Sequence, residues 1–187
     1  KWCKAVDCSF NVITIVWDSG TQTWNSPTFS NQVWVVVRES ATDPVSGVNV
    51  YYYSGGWQFF GTTDAAGIAT MTGLTGTLQF KASYGGYTET RTQNVDTNPI
   101  VIFQTKLVTV ELIDSNGDPI AGGVAYYYAG GWKYFGTTDT TGKCYLEMLP
   151  GTYSFKMSYA GYTQEKSYIN IVTTPVVTFH TKLMEVE

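Results

Sequence analysis

The sequence predicts an all-β protein: two tandem β-sandwiches of Greek-key type preceded by an extra N-terminal β segment. Three observations lead there. Of 187 residues, 27 are Thr, 14 Tyr and 19 Gly, the residue types that half-buried strands and tight turns require. No stretch repeats its apolar residues at the 3.6-residue spacing of a helix. And one long segment occurs twice.

The segment YYYSGGWQFFGTTDAAG, starting at Tyr51, returns as YYYAGGWKYFGTTDTTG, starting at Tyr126, an offset of 75 residues. Over residues 43–90 the two copies share 25 identities in 48 positions. One inserted residue near positions 91–94 shifts the offset to 76, after which FQTKL from Phe103 matches FHTKL from Phe179. Such a period is too long for a solenoid unit and suits a small sandwich. The organisation expected is an N-terminal β segment over 1–32, one sandwich over 33–105 and a second over 106–187.

The elements follow in order. Phe10–Trp17 is apolar and β-branched enough for a strand in the N-terminal segment, either part of an incomplete sheet that receives a strand from another subunit or a donor strand itself. Val33–Val37 and Val108–Leu112 open the two sandwiches. Val48–Tyr53 is a strand, Gly55-Gly56 supplies a two-residue hairpin turn, and Trp57–Phe60 returns; Asp64–Gly67 and Asp139–Gly142 are further turns. Leu74–Thr77 and Leu149–Thr152 lead into strands Leu78–Ser83 and Tyr153–Ser158, and residues 100–103 and 176–179 complete each set of about seven strands.

Composition excludes several functions. A net charge of −4 and an isoelectric point near 4.9 leave no basic footprint for nucleic acid. No apolar run approaches the ~18 residues of a membrane-spanning helix. The sequence begins at Lys1 without Met or a signal-like segment, as a processed or trimmed product would. Cys3 and Cys8 are close enough to close a disulfide in an exported chain, and no His or further Cys accompanies them as a zinc site would need. Cys144 aligns with Ala69, so a small buried side chain is expected there.

Catalytic constellations are missing from the pattern. His180 stands where the first copy has Gln104, and no nucleophile has a base beside it in sequence. Asp64 and Asp139 occupy identical turn positions, where an Asp bonds its own backbone two residues on. Asp114–Asp118 alternates oxygen ligands but lacks a distal bidentate Glu, so it is expected to be a hairpin turn and not a calcium loop. No enzyme, metal or cofactor is expected.

The series Gly-x-x-Val, Thr-Asp-x-x-Gly, Leu-Pro-Gly-x-Tyr and Gly-Tyr, complete in "DPIAGGVA…GTTDTTGKCYLEMLPGTYSFKMSYAGY" but for the Val, and met in the first copy with Thr75 in place of Pro and Leu78 in place of Tyr, resembles transthyretin-like (prealbumin-like) repeats. These include carboxypeptidase regulatory-like domains and the B-type repeats of collagen adhesins. The resemblance covers about 33–187 and implies Ig-like Greek-key sandwiches used as stalks and linkers. Many such repeats carry a Lys–Asn isopeptide bond assisted by a Glu; the matching strand here, Lys81–Tyr87, has no Glu at that place, and the bond is not expected.

Two surfaces remain as candidates. With a two-residue turn, Tyr51, Tyr53 and Phe60, and likewise Tyr126, Tyr128 and Phe135, share one face with Gln58 and Lys133, an aromatic platform that could stack on sugar rings or on a neighbouring copy. At the other end, Leu183, Met184, Glu185, Val186 and Glu187 fall in the register of Val33/Val35 and Val108/Val110. They are expected to act as an inter-subunit strand, donated head-to-tail to another copy. The function expected is therefore a structural subunit of an extracellular or cell-surface filament, whose partner is itself. The alternative is a carbohydrate-binding or adhesin stalk module meeting a glycan or cell surface.

Overall fold

In the computed structural model, residues 31–181 are described with their side chains, and before them the backbone of five short strands. These are β1 (Cys3–Val6), β2 (Val12–Ile15), β3 (Trp17–Asp18), β4 (Thr23–Trp24) and β5 (Thr28–Ser30). Three of them form the sheet β1-β2-β5, and β3 and β4 form a two-stranded ribbon. Cys8 and residues 182–187 lie outside the described residues, as does the side chain of Cys3; the expected disulfide and the expected inter-subunit strand Leu183–Glu187 fall there.

Strict alternation defines the opening strand of the first sandwich. In β6 (Gln32–Arg38) Val33, Val35 and Val37 are buried while the residues between them are not, so one face is given wholly to the core. There follow β7 (Asn49–Tyr53), β8 (Trp57–Thr62), β9 (Ile68–Thr72), β10 (Thr77–Tyr84), β11 (Tyr87–Asn94) and β12 (Ile100–Gln104). They form two sheets, β11-β10-β7-β8 and β12-β6-β9. Phe80 and Phe103 are fully buried in this sandwich.

The second copy repeats the plan with β13 (Lys106–Ile113), β14 (Val124–Tyr128), β15 (Trp132–Thr137), β16 (Lys143–Met148), β17 (Thr152–Tyr159), β18 (Tyr162–Asn170) and β19 (Val176–His180). Its sheets are β15-β14-β17-β18 and β16-β13-β19. The opening strand β13 is central: β16 pairs with it antiparallel, and β19 runs parallel to it from Thr109↔Val176 to Ile113↔His180. Two sandwich-like domains without a helix among the described residues make the fold all-β.

By contact the described chain divides into two compact units. One holds 31–38, Pro44–Ser83 and Thr90–Phe103; the other holds Glu39–Asp43, Tyr84–Glu89 and 104–181. In the second, Val108, Val110, Leu112, Phe155 and Phe179 close a core that Cys144 joins as a small buried side chain, as its alignment with Ala69 implies. Burial pushes the Cys144 thiol up to about 11, and its Sγ faces the Val110 carbonyl at 3.7 Å.

The inserted residue of the second copy has a visible place. β17 and β18 pair in regular register from Tyr159↔Tyr162 to Phe155↔Lys166 and resume at Tyr153↔Ile169, with a bulge between. Tyr168 sits in that bulge at φ 59, in the left-handed region, with its ring 88% exposed. An extra residue in one strand of a pair is absorbed in this way without shifting the core register on either side.

The hairpins differ from expectation. Tyr53 pairs with Trp57, Tyr52 with Gln58 and Tyr51 with Phe59, and a bulge then sets Val50 opposite Gly61. The loop is therefore Ser54, Gly55 and Gly56, with Gly55 at φ 66, and not the two-residue turn that Gly55-Gly56 suggested. Ser54 N–H donates to Gly56 O at 2.9 Å, and Ala129 N–H to Gly131 O at the same distance in the second copy. A loop longer by one residue reverses which return-strand side chains share a face with Tyr51 and Tyr53.

Candidate functional site: two aromatic outer faces

The register sets Trp57 and Phe59, not Phe60, beside Tyr51 and Tyr53. Phe60 and Phe135 are core residues, only 3% and 4% exposed, and each meets a buried Phe edge-on: Phe60–Phe80 at 5.9 Å and Phe135–Phe155 at 6.0 Å between ring centroids. The platform drawn from the sequence is thus corrected at these two positions. Gln58 and Lys133 are exposed, as expected, but they lie opposite Tyr52 and Tyr127 on the edge strands β8 and β15, so their polarity does not mark the outer face.

The faces that the structure builds are nearly identical. In the first copy Tyr51–Phe59 and Tyr53–Trp57 stand edge to face at 5.6 and 5.5 Å. Lys81 places its Nζ 4.3 Å above the Trp57 ring and 5.0 Å above Tyr51. In the second, Tyr126–Tyr134 and Tyr128–Trp132 stand at 6.3 and 5.5 Å, with Lys156 Nζ 4.4 Å over Trp132 and 5.0 Å over Tyr126. Tyr53, Phe59, Tyr128 and Tyr134 expose about half of their surface or more, between 45% and 61%. Each cation–π contact at such a half-wet site is worth about 0.5–1 kcal/mol and holds the lysine stem flat on the rings.

Trp57, Phe59, Trp132, Tyr134 and the two lysines are the residues that the sequence pattern did not single out. One signal was present. Phe59 exchanges with Tyr134 between the copies, while Phe60 and Phe135 do not change, and a hydroxyl is gained without cost only where water reaches it.

The carboxylates do what turns require. Asp64 Oδ1 accepts the N–H groups of Ala66 and Ile68, and Asp139 Oδ1 those of Thr141 and Lys143. The Thr141 hydroxyl, the Lys143 and Thr141 N–H groups and the Lys143 charge hold the Asp139 carboxyl below the usual carboxylate range. Asp114 Oδ1 accepts from Asn116 and Asp118, and its carboxyl is likewise lowered, chiefly by the Asp118 N–H. Among the described residues no group of three or more His, Cys, Asp or Glu side chains converges as a metal site would. His180 is an exposed strand residue whose carbonyl accepts from Gln164 Nε2 at 2.7 Å. Among the described residues no helix is long and apolar enough to cross a membrane.

No protein-family model matches the chain, and no curated protein does. Solved structures do. The shaft pilin SpaA from Lactobacillus rhamnosus GG is 10% identical, with a TM-score of 0.35 over 84% of this chain and 99% of its own. A streptococcal ancillary pilin is 14% identical, with a TM-score of 0.34 over 92% of this chain and 75% of its own. The Bacillus anthracis TIE protein is 12% identical, with a TM-score of 0.32 over 92% of this chain, which spans only 40% of that protein.

Proposed function

We propose that this protein is a non-catalytic structural subunit of an extracellular filament or surface appendage, built from transthyretin-like repeats and assembling head-to-tail by donation of a β-strand. One observation carries it. Strand β12 ends at Gln104 and β13 begins at Lys106, so a single buried residue, Thr105, separates the last strand of one sandwich from the central strand of the next. The matching sequence, Phe179-His180-Thr181-Lys182-Leu183, with His180 in place of Gln104, follows at the end of the second sandwich. Met184 and Val186 then take the register of Val108 and Val110, both fully buried in their own sandwich. Two such side chains entering the core of another copy supply a few kcal/mol, about 1.5–3 each. Deleting residues 182–187 is expected to leave both sandwiches folded by thermal melting and to abolish fibres in negative-stain images. Fibres from the shortened chain would end the strand-donation reading.

The twin aromatic faces favour a second reading, a module that holds a glycan. Flat rings with phenol hydroxyls at the rim and a lysine between them offer stacking and hydrogen bonding to a pyranose. Tyr53→Ala with Phe59→Ala is expected to reduce retention on an immobilised glycan by about 1–3 kcal/mol, the range for stacking on aromatic side chains. A wild type retained by no glycan on an array removes this reading.

A further inference from the structure

The second compact unit includes the segment Tyr84–Glu89, the tip between β10 and β11, and packs it closely. The Tyr87 ring lies 4.6 Å from that of Tyr153, and Tyr127 Oη donates to Gly85 O at 2.7 Å. A Cβ placed on Gly151 would fall 2.5 Å from the Tyr87 ring, and one on Gly86 2.5 Å from the Lys133 side chain. Tyr127, Leu149 and Tyr153 are buried here, and burial raises the phenols of Tyr84, Tyr127 and Tyr153 above their usual range.

Seventy-five residues on, the counterpart tip has no such cover among the described residues. Tyr159, Tyr162 and Gln164 line an open cleft of about 760 Å³ whose floor is Leu112 and Met157. Tyr162, the counterpart of Tyr87, is 67% exposed, and a Cβ on Gly161, the counterpart of Gly86, would meet nothing within 4 Å. The covering surface has its counterpart too. Tyr52, Leu74 and Leu78 stand for Tyr127, Leu149 and Tyr153 but are only half-buried, and Gly76, which stands for Gly151, likewise meets nothing within 4 Å.

We infer that the cleft at the β17–β18 tip receives a second copy of this chain, with Tyr162 of one copy laid over Gly76, Tyr52 and Leu78 of the next. Each half of the contact is uncovered among the described residues, and the packing of Tyr84–Glu89 on Tyr127, Gly151 and Tyr153 supplies the pattern for it, with Leu78 in place of Tyr153 and Ala160 in place of Gly85. The interface joins unlike surfaces, so it repeats along a line without closing on itself. One position weakens it. Glu147 accepts hydrogen bonds from the hydroxyls of Ser40 and Thr105, whose counterparts Ser115 and Thr181 would find Thr72 in its place. Exchanging a carboxylate for a hydroxyl removes charge-assisted bonds and makes the contact between copies the more reversible one. The inference deepens the head-to-tail reading but uses surfaces distinct from the proposed donor strand.

Sedimentation velocity across a concentration series tests it on the full chain, on Tyr162→Ser, on Leu78→Gln and on a chain lacking 182–187. The wild type is expected to self-associate, and each point variant to raise the dissociation constant about tenfold or more, as loss of a central aromatic anchor does, with thermal melting unchanged for the exposed Tyr162. An equimolar mixture of the two point variants is expected to give heterodimers, since each keeps one competent surface. A monomeric wild type, a Tyr162→Ser chain that associates like the wild type, or a mixture without heterodimers overturns the inference. The deletion separates the two contacts. Association lost on deletion but kept in Tyr162→Ser leaves strand donation standing and removes the cleft; the reverse keeps the cleft and removes strand donation.

Discussion

Phe155→Ala should destabilise the second sandwich by about 3–5 kcal/mol, the range for emptying a buried aromatic site. The ring is fully buried, stands edge-on to Phe135 at 6.0 Å and lies 6.3 Å from Tyr153, so two aromatic side chains lose a common neighbour at once. Calorimetry is the measurement, since a loss of this size lowers a melting transition by more than about 10 °C in a unit of this length. Tyr134→Ala is the control: its ring is on the outer face, and a shift of no more than about 0.5 kcal/mol is expected. Equal effects from the two variants would mean that the inner and outer faces have been exchanged.

Gly142→Ala should be nearly as damaging by a different route. Gly142 closes the Asp139 turn at φ 74, donates its N–H to Asp139 O and accepts the Leu112 N–H. A Cβ there would lie 2.7 Å from the Leu112 carbonyl oxygen and 3.0 Å from Pro119 Cβ, and neither can withdraw without breaking the turn. The left-handed conformation alone costs a non-glycine residue about 1–2 kcal/mol, and the contact with backbone adds to it. Gly117→Ala isolates the two contributions, because Gly117 has a φ of 92 but nothing within 4 Å of its Cβ position. Chemical denaturation of both variants should place Gly142→Ala well below Gly117→Ala; coincident curves would show that the close approach is unimportant.

Much of the architecture could be read from residue order because it rests on short-range chemistry. Alternating valines at 33, 35 and 37 can bury only one face of a strand, and Asp139 with Gly142 can only turn the chain, so opening strands and turns followed directly. What the sequence left open was the hairpin loop. Ser54-Gly55-Gly56 and Gly55-Gly56 are both good loops on local grounds, and tertiary burial decides between them by drawing Phe60 inward against Phe80. One residue of loop length moved Phe60 and Phe135 from the proposed platform into the core, and brought Trp57 and Trp132 out beside Lys81 and Lys156. The open cleft was out of reach for another reason: an exposed Tyr162 and a packed Tyr87 have the same neighbours in sequence and differ only in what covers them.

The parallel pairing of β13 with β19 has a mechanical consequence. The chain enters the second sandwich at the start of β13 and leaves it at the end of β19, and because these neighbours run the same way, entry and exit lie at opposite ends of one ladder. Tension along the chain therefore slides the two strands past each other and loads every hydrogen bond from Thr109↔Val176 to Ile113↔His180 together. A hairpin pulled at its two open ends instead parts one bond at a time. Forced rupture is governed by the rate of unfolding and not by its equilibrium, so a sandwich of modest thermal stability built this way can still bear a sustained axial pull.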